Sequence, residues 1–162
     1  MLYLMDDTAG EYKGFEPDVC GYTQTTEGAA ELLNIAWQKL QAQETPASLQ
    51  IIVVNSPEIM KQIGTDKAMV DLYRQISMAF KSGKGCFLLT DVENAMISFS
   101  AGELLKQVRD TKQFIVFENI KNIKVTDISM GVARTFKKEL DVNDAYVIQG
   151  DKIERVRVVQ KG

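Results

Sequence analysis

The sequence predicts an α/β domain built on a mostly parallel sheet, with a β-hairpin at its C-terminal end. Short apolar runs alternate with segments of helical periodicity, the pattern of strands joined by crossover helices. One run, Leu49-Gln50-Ile51-Ile52-Val53-Val54, is apolar almost throughout, as a strand covered on both faces must be. It is therefore placed at the centre of the sheet. Near the end of the chain, Ala145–Gln149 and Lys152–Val159 flank Gly150-Asp151, a pair suited to a two-residue primed turn.

Taken in order, Leu2–Met5 forms the first strand and stops at Asp6-Asp7. A loop with Gly10, Gly14 and Pro17 leads to a short second strand, Val19–Tyr22. A helix runs from Thr25 to about Gln43, with Ala29, Leu33, Ala36, Trp37 and Leu40 as its apolar stripe. Thr25 or Thr26 is its N-cap, and Glu27 and Glu31 lie near the positive end of the macrodipole. The central strand ends at Asn55-Ser56-Pro57-Glu58, and a short helix covers about Pro57–Ile63 up to Gly64. Thr65 is the expected cap of a longer helix to about Phe80. On that helix Ala68, Met69, Leu72, Tyr73, Ile76, Ala79 and Phe80 share one face, while Val70 and Met78 fall off it. Lys81–Gly85 reads as a turn, and Cys86–Leu89 as another buried strand.

Ser100-Ala101-Gly102-Glu103 is a capping box, with Phe99 and Leu104 placed to form a hydrophobic staple. Ala101, Leu104, Leu105 and Val108 make the inward stripe of the helix it opens. Phe114–Phe117 is a fifth strand. A loop or short strand over Asn119–Asp127 and a short helix over about Ser129–Lys137 precede the hairpin. No repeat, low-complexity tract or linker interrupts residues 1–162, so one domain is expected.

Composition narrows the function classes. The chain has 162 residues, 45% hydrophobic and 25% charged, enough for a core without disulfide staples. No apolar run approaches the ~20 residues that span a bilayer, so no direct membrane insertion is expected. Histidine is absent, which removes Ser-His-Asp and Cys-His catalysis and the commonest zinc ligand. A net charge of −3 disfavours a nucleic-acid binder. The charge is uneven: residues 1–81 sum to −5 and residues 82–162 to +2. Cys20 and Cys86 form neither a zinc spacing nor a redox motif, and both are expected to be small buried thiols.

Few motifs carry chemistry. Gly83-Lys84-Gly85 follows a helix and precedes a strand, the reverse of a phosphate-binding loop, so it reads as a turn. Asp6 and Asp7 are adjacent on a strand and point to opposite faces. They read as a solvated strand end, although a carboxylate there can hold magnesium or a ribose. Ile51–Val54 resembles a Walker B strand, but Asn55 and Ser56 stand where its Asp and Glu belong. An amide lacks the negative charge a hard cation needs. Arg134-Thr135-Phe136-Lys137-Lys138 reads as a solvated basic face, with an acidic partner as the other use. Most methionines beyond the first strand (Met60, Met69, Met78, Met96 and Met130) read as core filling. Met78, with Val70, is the exception and a candidate contact for a partner.

Several of these stretches together resemble the C-terminal end of the membrane-bound FtsK/SpoIIIE-type coupling ATPases of type VIIb (WXG100/ESX-like) secretion, the EssC/YukB type. The matching segments are Cys86–Phe99, Glu103–Lys106, Phe117–Ile120 and Asp144–Gly150, and Leu2–Asp7 and Gln50–Asn55 fit the same order. The resemblance implies a P-loop NTPase fold of the RecA/FtsK-like type, lacking the P-loop segment, which in that family lies just upstream of Leu2. It implies a degenerate, non-catalytic ATPase module with no cofactor, Asn55 and Ser56 marking the lost Walker B position. Its implied place is the C-terminal portion of a longer membrane-anchored protein, at the cytoplasmic face of the cell membrane. Its implied partners are secreted WXG100-like helical proteins and neighbouring ATPase domains of the same motor, with no nucleic acid. The alternative is a fragment of an active ATPase whose P-loop lies upstream.

Overall fold

The computed structural model describes residues 1–42, 49–90, 92, 102–126, 128, 130–133, 135–136 and 140–157. They group into two compact units, Met1–Leu104 and Leu105–Gly162.

The first unit is a parallel α/β layer. Its strands are β1 (Leu2–Asp6), β2 (Gly21–Thr23), β3 (Gln50–Asn55) and β4 (Gly85–Leu89), in the order β2-β1-β3-β4. All three pairings are parallel. Helix α1 (Thr26–Gln41) connects β2 to β3, and α2 (Pro57–Thr65) and α3 (Lys67–Ala79) connect β3 to β4. β3 is paired on both sides, as its apolar run predicts. The second strand begins at Gly21 rather than Val19, because only from there does β2 register against Tyr3 of β1.

Register explains which side chains make the core. Tyr3, Ile52 and Phe87 lie side by side across three strands, as do Met5, Val54 and Leu89. Tyr3, Met5, Ile52 and Val54 are fully enclosed. Leu32 of α1 sits against Gly21, and the rings of Tyr73 and Phe80 lie 4.8 and 5.2 Å from Phe87. The opposite sheet face is more open. Ile51 and Val53 are half-buried, Leu88 is 50% exposed, and Cys86 is exposed. The expectation of a buried Cys86–Leu89 strand is thus corrected. β4 ends the order of the four-stranded sheet and is packed on one face, and an apolar run alone does not reveal that. Cys20 and Cys86 are likewise both exposed free thiols, not buried ones.

The helix starts follow from capping chemistry. Thr25 caps α1, its hydroxyl accepting from the Gly28 N–H at 3.1 Å. Ser56 caps α2 with Pro57 in its first turn. The cap of α3 is Asp66, whose carboxylate accepts from the Met69 N–H at 3.0 Å. Thr65, where the sequence places that cap, belongs to the end of α2 and donates to the Lys61 carbonyl at 2.8 Å. In α1, Leu32 joins Ala29, Leu33, Ala36 and Leu40 in the core, and Trp37 is half-buried. α3 buries Met69, Tyr73 and Ile76. A wide helical turn, Phe80–Lys84, follows it and is broken by Gly83 at φ +82°.

Helix α4 (Gly102–Thr111) carries the chain from the first unit into the second. Ser100 and Ala101 of the capping box lie outside the described residues, as do Met96, Arg134, Lys137 and Lys138. The second unit is an antiparallel sheet, β5-β6-β7, from β5 (Gln113–Val116), β6 (Asp144–Gln149) and β7 (Lys152–Arg157). The fifth strand therefore pairs within this sheet instead of extending the parallel one. The hairpin forms as its turn predicts: Gln149 pairs with Lys152, and Gly150 takes φ +63°. Val116, Ile120, Ala133, Tyr146 and Ile148 form the core, with Phe136 edge-on to Tyr146 at 5.4 Å. Short helical turns, Ile120–Asn122 and α5 (Met130–Ala133), occupy the connection. Arg157 and Arg155 both bind the buried Asp144 carboxylate and hold it below the usual carboxylate range.

Gly85 shows how tightly the first unit is packed. A Cβ there would overlap the Gln50 carbonyl oxygen and the Phe80 ring, whereas one at Gly14 would meet nothing. Gly85→Ala is expected to destabilise the fold by roughly 1–3 kcal/mol through overpacking. Gly14→Ala should leave it within about 0.5 kcal/mol of wild type. Chemical denaturation of the two variants checks both values.

Candidate functional site

The connection leaving β1 passes to β2 on one side, and the connection leaving β3 passes to β4 on the other. The C-terminal ends of β1 and β3 therefore form the switch point where ligands bind in open α/β sheets. Asp6, Asp7, Asn55 and Ser56 sit there.

Asp6 has no exposed surface. The solvated strand end expected from sequence is thus corrected, for Asp6, to an enclosed carboxylate. One oxygen accepts from the Asn55 amide at 3.0 Å and from the Asp7 N–H at 3.0 Å. The other accepts from the Tyr12 N–H at 2.9 Å and the Tyr22 hydroxyl at 3.1 Å. The Asn55 side-chain oxygen in turn accepts from the Thr90 hydroxyl. A chain of side-chain hydrogen bonds thus runs Tyr22–Asp6–Asn55–Thr90, from β2 through β1 and β3 to the residue after β4. Enclosure by itself raises the Asp6 pKa. The donors of Asn55, Tyr12, Tyr22 and Asp7 outweigh it and hold the carboxyl below its ordinary value. Burial, then the hydrogen bond to Asp6 and its charge, push the Tyr22 phenol up to about 12.

Beside this chain lies a cleft of about 450 Å³. Asp7 and Thr8 border it after β1, Thr25 and Thr26 at the start of α1, and Ser56 and Glu58 at the start of α2. Asp7 is the first residue past β1, and its carboxylate accepts from the N–H groups of Ala9 and Gly10. Asn55 and Ser56 both serve the fold. The amide binds Asp6 and Thr90, and the hydroxyl accepts from the Ile59 N–H at 3.3 Å. Among the described residues no group of three or more Cys, Asp or Glu is placed to hold a metal ion.

Val70 and Met78 do not border this cleft. Val70 is half-buried, whereas Met78 is 72% exposed. Gly83-Lys84-Gly85 ends the turn after α3 and leads into the N-terminal end of β4. The sequence singles out Asp6 and Asn55 separately but not their union, nor the parts of Tyr22 and Thr90. The available signal is parity: once the strands are in register, Tyr22, Asp6, Asn55 and Thr90 share one face. Comparison of the chain with protein-family models and with curated proteins finds no match. Among the described residues no helix is long and apolar enough to cross a membrane.

Because the folded Asp6 pKa lies below its unfolded value, its contribution is complete above the unfolded pKa. It is lost as pH falls through the folded one. Asp6→Asn is expected to cost roughly 2–4 kcal/mol at neutral pH by leaving facing donors unpaired, and to flatten the acid limb of the stability curve. Asn55→Asp should behave oppositely. It sets two carboxylates against each other, so the variant is weakest at neutral pH and recovers relative to wild type on acidification. Urea denaturation from about pH 3 to 7 reads both trends.

Proposed function

We propose that the chain is a non-catalytic recognition or regulatory module of a type VII secretion motor, descended from an FtsK/SpoIIIE-type ATPase domain. On this reading it binds secreted WXG100-like helical proteins and works beside other ATPase domains of the motor at the cytoplasmic face of the membrane. One observation carries the proposal. Asn55 and Ser56, at the positions where an active module keeps its magnesium ligand and water-polarising acid, are engaged in holding strand ends and capping a helix. The parallel sheet with helices between its strands agrees with a P-loop NTPase origin. Exposed apolar side chains at Met78 and Leu88 supply surface suited to a partner.

The second reading is a fragment of an active ATPase whose phosphate loop lies upstream. The strand-end cleft favours it, since the starts of α1 and α2 both border it. Isothermal titration with Mg-ATP separates the two. Absence of binding at micromolar concentrations is the expected result, and a one-site isotherm would favour the second reading. Secreted small helical proteins should be retained by the immobilised chain. Met78→Asp should weaken retention about tenfold at an unchanged melting temperature if Met78 is a buried contact. Retention equal to wild type would remove Met78 from the interface.

A further inference from the structure

α1 and α3 are packing neighbours, and a groove of about 380 Å³ runs along them. Ala30, Ala68, Met69 and Leu72 give it an apolar lining. Met69 is buried and Leu72 half-buried, so part of this lining still faces solvent. The polar lining includes the carboxylates of Glu27, Asp66 and Asp71, and among the described residues no Lys or Arg lines the groove, with Arg74 lying 3.8 Å from the Asp71 carboxylate. The groove shares Thr26 and Glu27 with the lining of the strand-end cleft. That cleft adds Asp7 and Glu58, again with no basic side chain among the described residues on its border. The sign holds for the whole unit. Met1–Leu104 has 14 acidic and seven basic residues, a net −7, against eight and 12 in Leu105–Gly162, a net +4.

We infer that this groove docks an amphipathic helix whose apolar face is flanked by Lys or Arg. The inference rests on the recognition-module reading and adds the chemistry of the partner and its seat. Ala30 and Ala68 have short side chains, so a third helix can approach to the usual ~8–10 Å between axes. Its apolar residues then cover Leu72 and the open part of Met69. Its cationic groups meet Glu27, Asp66 and Asp71 at the rim, where charges stay partly hydrated and cost little to pair. The lining along α3, from Asp66 to Gln75, gives a track of roughly 15 Å, enough for two to three turns of partner helix. The negative field of the unit draws a basic helix in and turns an acidic one away.

The test uses the full chain and a fluorescein-labelled amphipathic helix of about 18 residues made of Leu and Lys, followed by fluorescence anisotropy. A matched Leu/Glu peptide is the control. Expected are saturable binding of the Leu/Lys peptide, weakening with added salt, and none of the Leu/Glu peptide. Ala68→Arg, which narrows the groove and adds a positive charge to its lining, should weaken binding at least about tenfold. Asp71→Lys, at an exposed position, should act in the same direction and keeps the test decisive if Ala68→Arg disturbs the fold. Gly14→Ala, outside the groove lining and with open space around its Cβ, should bind within about twofold of wild type.

Wild-type affinity in both groove variants would overturn the inference, as would equal binding of the two peptides. So would complete displacement by spermidine at matched charge, since charge alone would then be read. A dimer that Ala68→Arg dissolves would assign the groove to a second copy of the chain and overturn it too. Peptide binding without retention of secreted proteins would remove the secretion reading and keep the groove. The reverse result would keep the secretion reading and discard the groove.

Discussion

Asp6 places a carboxylate where no water reaches it, at the end of one of the two inner strands. A charge so enclosed is tolerated only if donors surround it. Four donors do, and they come from separate pieces of chain: Asn55 at the end of β3, Tyr22 on β2, and the backbone of Asp7 and Tyr12 in the loop after β1. Thr90 extends the contact to the strand after β3. The need to satisfy one buried charge thus fixes the relative height of four strand ends. It also fixes the start of α2, since Ser56 follows Asn55 directly. The loop over Asp7–Gly10 is closed by the same strand end through the Asp7 carboxylate.

That arrangement changes what Asn55 means. Judged as a lost magnesium ligand, it is a defect in a catalytic strand. In the structure the amide does what an ionised carboxylate cannot: it donates to Asp6 and accepts from Thr90 at once. An acid at this position next to the enclosed Asp6 would put two like charges in contact. The switch-point architecture, with two helix starts beside a cleft, coexists with a strand end committed to structure. Under the proposed recognition role, that commitment directs attention from phosphate chemistry to surfaces. On the first unit those surfaces are acidic around the helix starts and apolar at Met78 and Leu88.

Much of the architecture is legible in the sequence. The run Gln50–Val54 declares a central strand because no alternation of polar residues interrupts it, and Gly150 declares the hairpin because a primed turn needs positive φ. Caps are legible to within a residue: Thr25 is one of the two candidates for α1, and Thr65 stands one residue before Asp66, the cap that α3 uses once Thr65 closes α2. Exposure of Cys86 and Leu88 is not legible, because an edge strand and a central strand have the same composition when the sheet is not yet assembled. The pairing of β5 is hidden for a similar reason: a strand after a helix fits a parallel crossover and an antiparallel sheet equally well. The site was half legible. Asp6 and Asn55 stand out by chemistry, but their contact spans 49 positions and exists only in the observed register.

The account rests on Asp6 and Asn55 acting as one unit across β1 and β3. A double-mutant cycle of Asp6→Ala and Asn55→Ala, with stability measured by urea denaturation at neutral pH, tests this directly. A coupling of at least about 1 kcal/mol is predicted, with the double variant less destabilised than the sum of the single ones. Additivity within roughly 0.3–0.5 kcal/mol would contradict it, and would return Asn55 to the status of an unremarkable strand end.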